Sequence, residues 1–151
     1  MTTTAPIVVL GGGLMGLAIA HQLARRGHAV RVISRNRNEA AGFVAAGMLA
    51  PHAEGLSGQL LTLGQRSLAL MPQWVAQIEH DSGLTCGLRM SGIVVPFDTE
   101  DDSKRYPTAA LGQSLNRKAL EQGVPGLAPH WQAGLLFEQD GQIDNRRQLM
   151  R

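Results

Sequence analysis

The stretch Ile7-Val8-Val9-Leu10-Gly11-Gly12-Gly13-Leu14-Met15-Gly16 decides the fold. Four consecutive apolar residues without polar alternation describe a strand buried on both faces, as in a parallel sheet. They run directly into glycines spaced G-x-G-x-x-G at Gly11, Gly13 and Gly16. In that pattern the first glycine allows the tight turn and the second lets backbone approach a pyrophosphate. The third lets the next helix press on the strand, while that helix turns its N-terminal N–H groups toward the anion. A glycine-rich turn alone is a weak signal. Between a strand and a helix, within a βαβ-sized unit, it points to a dinucleotide.

The helix follows at once. Leu14, Leu17, Ala18 and Leu23 share a face, and Gly27 stops the helix just after the basic pair Arg25–Arg26. Ala29 to Ser34 is rich in β-branched residues and reads as the second parallel strand. At the end of such a strand an Asp or Glu ordinarily accepts hydrogen bonds from the adenosine ribose. Here Ser34 and Arg35 stand there, followed by Asn36 and Arg37. An arginine at this point could accommodate a ribose 2′-phosphate, which favours NADP; it could equally stack on adenine or lie on the surface.

Bulk properties narrow the classes. The net charge is +2 and the arginines are scattered without aromatic interleaving, a poor footprint for nucleic acid. Cys86 is the only cysteine, so no intrachain disulfide or cysteine-held zinc is available, which fits a reducing, cytoplasmic setting. His21, His28, His52, His80 and His130 show no metal-ligand spacing. No basic segment precedes the first apolar run, which argues against a signal peptide, and no run has the length of a membrane span.

Glu39 to Glu54, EAAGFVAAGMLAPHAE, is rich in small residues and lacks clean periodicity. Small side chains let main chain run close to a large flat partner, so a buried packing loop and a cofactor-contacting loop fit equally well. Together, GGGLMG and AAGMLAPHAE closely resemble the N-terminal region of the FAD-dependent amino-acid oxidases, in particular the glycine-oxidase branch of thiamine biosynthesis. The resemblance implies FAD as cofactor, with its pyrophosphate held at Gly11, Gly13, Leu14, Met15 and Gly16. It further implies that Ala45, Ala46, Gly47, Met48 and Leu49 run beside the isoalloxazine ring and shape the substrate pocket. Ser34 and Arg35 occupy the ribose end, where the family usually carries an acid.

Farther on, Leu60 to Ile78 has helical spacing, with Pro72 expected to kink the helix or start a second one. Ile93–Phe97 reads as a strand whose Pro96 suggests an edge. The four carboxylates between Asp98 and Lys104 read as a solvated loop, Leu115–Gln122 as a short helix and Gly134–Phe137 as a strand. Asp140–Gly141 reads as a hairpin turn with Gln142–Asp144 as the returning strand. Asp144 is placed to cap a helix over NRRQLMR, with Leu149 and Met150 on its apolar face, and that helix is cut short at Arg151.

The expected architecture is α/β: an incomplete Rossmann-like FAD-binding domain with an inserted α+β antiparallel substrate domain. The division expected from the family is 1–85 for the first part of the FAD-binding domain, 86–142 for part of the substrate domain and 143–151 for a returning helix. With two parallel strands visible, the chain reads as the N-terminal part of a larger flavoenzyme that oxidatively deaminates glycine or a related small amino acid or amine. No nucleic-acid or membrane partner is expected, and a homo-oligomer of the full-length protein is left open. The family's substrate-clamping arginine lies in its C-terminal half, so no catalytic residue is assigned and the chain alone is expected to be inactive. The rival readings are an NADP-dependent oxidoreductase, on Arg35 and Arg37, and a non-catalytic remnant.

Overall fold

The computed structural model describes residues 5–145. The chain divides into two compact units, Met1–Gly47 with Asp144–Arg151, and Met48–Ile143.

In the first unit, β1 (Ile7–Leu10) and β2 (Val30–Ile33) pair in parallel, with Ile7 opposite Val30 and Leu10 opposite Ile33. Helix α1 (Leu14–Arg25) crosses between them, so the three elements form one βαβ unit. Gly27 takes φ 83° and donates its N–H to the Ala24 carbonyl, ending α1 as the sequence predicts. Two 3-10 turns follow, Arg37–Glu39 and Ala41–Phe43. The expectation of a strand buried on both faces is corrected: Val8, Leu10 and Ile33 are half or more exposed. Two strands and one helix cannot cover both faces of a sheet.

The second unit opens on β3 (Met48–Leu49), a tight turn over residues 51–55, and the long helix α2 (Gly58–Ser82). Pro72 lies inside α2, which continues past it rather than dividing. Gly83 closes the helix at φ 69°. A three-stranded antiparallel sheet then runs in the order β4-β6-β5, from β4 (Ile93–Phe97), β5 (Gln113–Asn116) and β6 (Ala133–Phe137). β4 is an edge strand, as Pro96 suggests. Helices α3 (Glu100–Arg105) and α4 (Arg117–Gly123) pack beside this sheet. Leu120, Leu135 and Phe137 are buried here, and a second core gathers Val75, Ile78, Cys86 and Ile143.

Three expectations are corrected. The acidic run is α3 rather than a loop: Thr99 accepts the Asp102 N–H at 3.1 Å, three acids sit at the positive helix end, and Lys104 and Arg105 sit at the negative end. Strand β5 was not expected, because QSLN lacks an apolar alternation. The segment after Asp140–Gly141 does not return along β6; β7 (Gly141–Gln142) pairs antiparallel with β3, Met48 opposite Gln142. The helix expected over NRRQLMR lies outside the described residues beyond Asn145. No helix among the described residues is long and apolar enough to cross a membrane.

The sheet is filled by large side chains set against glycines. A Cβ on Gly134 would stand 2.6 Å from Leu120 Cδ2, and one on Gly112 would stand 2.8 Å from the Phe137 ring. Leu120 itself has no exposed surface. Truncation by Leu120→Ala therefore opens a cavity and lowers stability by about 2–5 kcal/mol. Urea denaturation followed by the fluorescence of Trp74 and Trp131 measures this, and an unchanged midpoint would contradict the packing described.

Candidate functional site

The glycine turn shows why each glycine is needed. Gly11 sits at φ 109° and donates its N–H to the Ile33 carbonyl at 2.8 Å, so the turn begins while still bonded to β2. A Cβ on Gly16 would lie 2.0 Å from the Gly11 carbonyl oxygen and 3.5 Å from Val9 Cγ1. Only a bare Cα lets α1 start this close to β1. A Cβ on Gly12 would stand 2.8 Å from Ser34 Cβ, so the turn also lies against the end of β2.

Gly13 is the N-cap of α1, and its carbonyl accepts the Leu17 N–H at 3.0 Å. No side chain caps this end and the first turn carries no acid. The N–H groups that open the helix, Leu14 and Met15 among them, thus have no side-chain acceptor, and the helix dipole favours an anion there. Met15 points its side chain to solvent and is 75% exposed.

Beside this helix end lies an open groove of about 370 Å³, lined by Gly13, Ser34, Arg35, Asn36, Glu39 and Ala40. It brings together three residues predicted from sequence, Gly13, Ser34 and Arg35. It also adds one that sequence reading missed. Asn36 Oδ1 accepts the Asn38 N–H at 3.0 Å, and the resulting turn swings Glu39 back into the groove. Arg35 Nε donates to Glu39 Oε2 at 3.1 Å and its Nη2 makes a second, closer contact; Asn36 Nδ2 reaches Oε1 at 3.4 Å. The acid absent from the end of β2 is thus supplied five residues later. The signal was present as Asn36 followed three residues on by Glu39, a pairing that marks a capped turn.

The groove suits a dinucleotide: Gly13 presents bare backbone to it, the helix N-terminus beside it is uncapped, and Glu39 brings a carboxylate. The Arg35–Glu39 pair is exposed, so it orients the two side chains at the rim of the groove without burying either.

The remaining predicted residues lie along the chain from the first unit into the second. Ala45 donates its N–H to the Ala41 carbonyl at 3.0 Å and accepts from Asn145 Nδ2 at 2.9 Å. Ala46 is exposed, and Gly47 is buried at φ 80°. Met48 and Leu49 form β3 in the second unit; Met48 is 54% exposed and Leu49 packs against the Val75–Cys86 core. None of these five residues lines the groove. Among the described residues no group of three or more His, Cys, Asp or Glu side chains is placed to hold a metal ion.

Comparison with known proteins agrees with this geometry. The chain is 38% identical to the bifunctional protein ThiO/ThiG of Nostoc sp. over 149 residues, covering 95% of this chain and 23% of that protein. It is 32% identical to the glycine oxidase of Geobacillus kaustophilus, covering 95% of this chain and 41% of that enzyme. The crystal structure of glycine oxidase from Geobacillus kaustophilus superposes with a TM-score of 0.86 at 28% identity, over 95% of this chain and 42% of that one. The chain therefore spans less than half the length of these relatives. The family model described as FAD dependent oxidoreductase matches residues 6–151. On that match and on the glycine turn beneath it, this chain belongs to the FAD dependent oxidoreductase family, whose cofactor is FAD.

Proposed function

We propose that this chain forms the FAD-binding start, and part of the substrate-binding region, of an enzyme that oxidatively deaminates glycine or a related small amino acid or amine. The observation that carries the reading is the groove beside α1, where the uncapped helix N-terminus at Gly13 meets Ser34 and Glu39. In this reading Gly11, Gly13, Leu14, Met15 and Gly16 hold the pyrophosphate, with main-chain N–H groups as donors. Glu39, with Ser34 beside it, accepts from the adenosine ribose, and Arg35 steadies Glu39 while keeping capacity on its carboxylate for further donors. Ala45 to Leu49 border the isoalloxazine ring and exclude water from one side of it.

Bound flavin supplies the hydride acceptor for an amine oxidation; the protein's part is to bind and orient. The antiparallel sheet β4-β6-β5 is the scaffold on this side of the substrate pocket. The division by role, 1–85 and 143–151 for cofactor and 86–142 for substrate, belongs to this proposal. It is drawn differently from the compact units, which place α2 with the sheet. A cytoplasmic site in thiamine biosynthesis is part of the same reading, in keeping with the ThiO/ThiG relatives. The NADP alternative is disfavoured by the match to an FAD dependent oxidoreductase family.

Titration of the full-length protein with FAD, with NADP as competitor, tests the assignment. FAD is expected to bind in preference, and Glu39→Gln to weaken it by about tenfold through loss of a charged acceptor. Preference for NADP would reverse the assignment. Gly16→Val, which drives a side chain into the Gly11 carbonyl, is expected to weaken FAD on the order of a hundredfold, or about 2.7 kcal/mol. The purified 151-residue chain, mixed with FAD and glycine, is expected to give no peroxide above a no-enzyme control. Turnover by it would place the catalytic groups within these residues.

A further inference from the structure

His52 and Asp140 are 88 residues apart in sequence and meet in the interior of the second unit. Asp140 has no exposed surface and His52 is 5% exposed. His52 Nδ1 stands 2.6 Å from Asp140 Oδ1, and Asp140 Oδ2 accepts the Ala53 backbone N–H at 2.7 Å. One carboxylate thus holds both a side chain and the main chain of the turn that follows β3. Gln65, exposed on α2, places Nε2 at 3.1 Å from the other ring nitrogen of His52. With Asp140 Oδ1 at Nδ1 and the Gln65 amide at Nε2, both ring nitrogens of His52 have a hydrogen-bonding partner.

The carbonyls of the same turn are held as well. The Thr108 hydroxyl donates to His52 O at 2.6 Å and the Tyr106 phenol to Ala53 O at 2.7 Å. Burial, with the Glu54 carboxylate adding to it, pushes the Tyr106 phenol above its ordinary value, which keeps it a donor. The Phe137 ring stacks on the imidazole, centroids 6.2 Å apart.

This is a large investment of buried polarity in a five-residue turn, where the net gain from each hydrogen bond is modest. Its placement shows what it does supply. β3 is two residues long and pairs only with β7, Met48 opposite Gln142 and Leu49 opposite Gly141. His52 and Ala53 lie just after β3, and Asp140 immediately precedes β7. The clamp therefore ties the end of one strand to the start of its partner and fixes the register of a ladder too short to fix its own.

We propose that the His52–Asp140 pair is a positioning device that holds Met48 and Leu49 in place beside the flavin ring. This rests on the reading that the segment borders the isoalloxazine. Neither residue touches substrate or cofactor in this scheme; both act through β3. The pyrophosphate cradle, in the other compact unit, is left intact when the clamp is removed.

The test is made on the full-length, FAD-loaded protein with Asp140→Asn, which keeps the size of the side chain but removes its charge. FAD affinity, the visible absorption of the bound flavin, and kcat and KM for glycine are measured together. The expected result is a shifted flavin band and a fall in kcat/KM on the order of a hundredfold, with FAD affinity held within about threefold. A wild-type band and wild-type kcat/KM in Asp140→Asn would overturn the proposal, and so would a loss explained wholly by weaker FAD binding. If Asp140→Asn does not fold, Gln65→Met decides: a shifted band supports the clamp and an unshifted one overturns it. A wild-type protein that takes up no FAD fails one step earlier, refuting the cofactor reading and the proposal with it.

Discussion

The approach of Gly16 to the Gly11 carbonyl is the constraint on which the first unit depends. Because a side-chain carbon at Gly16 would fall 2.0 Å from that oxygen, α1 begins hard against β1, and its first N–H groups open where the parallel strands end. Gly12, pressed on Ser34, joins the turn to β2 and sets one wall of the groove. The glycines set the backbone path, and the side chains of the groove come from the segment after β2. The groove's chemistry is main-chain dipoles, supplemented by one carboxylate that Asn36 and Arg35 turn into position.

The second unit uses glycine for the opposite purpose. Gly134 and Gly112 make room for Leu120 and Phe137, so that a thin three-stranded sheet acquires a filled face. Phe137 then serves two neighbourhoods, meeting Tyr106 on one side and His52 on another. Packing and polar clamp share this ring, which is why the turn after β3 is held from several directions at once. Buried groups with every hydrogen-bonding position met specify one arrangement rather than several.

The parts legible in the sequence were local. The β1 turn and α1, the stop at Gly27 and the edge strand with Pro96 each carry their signal within a few residues. What was missed depended on distance or on competing local forces. The acids at 100–102 looked like a solvated loop because charge hides the cap that Thr99 provides. The pairing of β7 with β3 joins segments more than ninety residues apart, and no local turn chemistry at Asp140 discloses it. The same separation concealed His52 and Asp140 from each other. Glu39 was hidden differently: it lies beyond the end of β2, and the Asn36 turn brings its carboxylate back to the groove.

The two compact units differ in how the chain visits them, and this has a consequence for synthesis. Residues 48–143 form one unbroken unit, whereas the first unit is interrupted, its opening residues joined by 144–151. A ribosome working at ~5–20 residues per second needs about 5–20 s to make the intervening stretch. During that time β1 and β2 stand without the segment whose Asn145 donates to the Ala45 carbonyl. The first-made unit thus waits for its last contact until the whole of the continuous unit has been synthesised. Slow codons placed within that stretch would lengthen the wait of the Ala45 carbonyl for its partner.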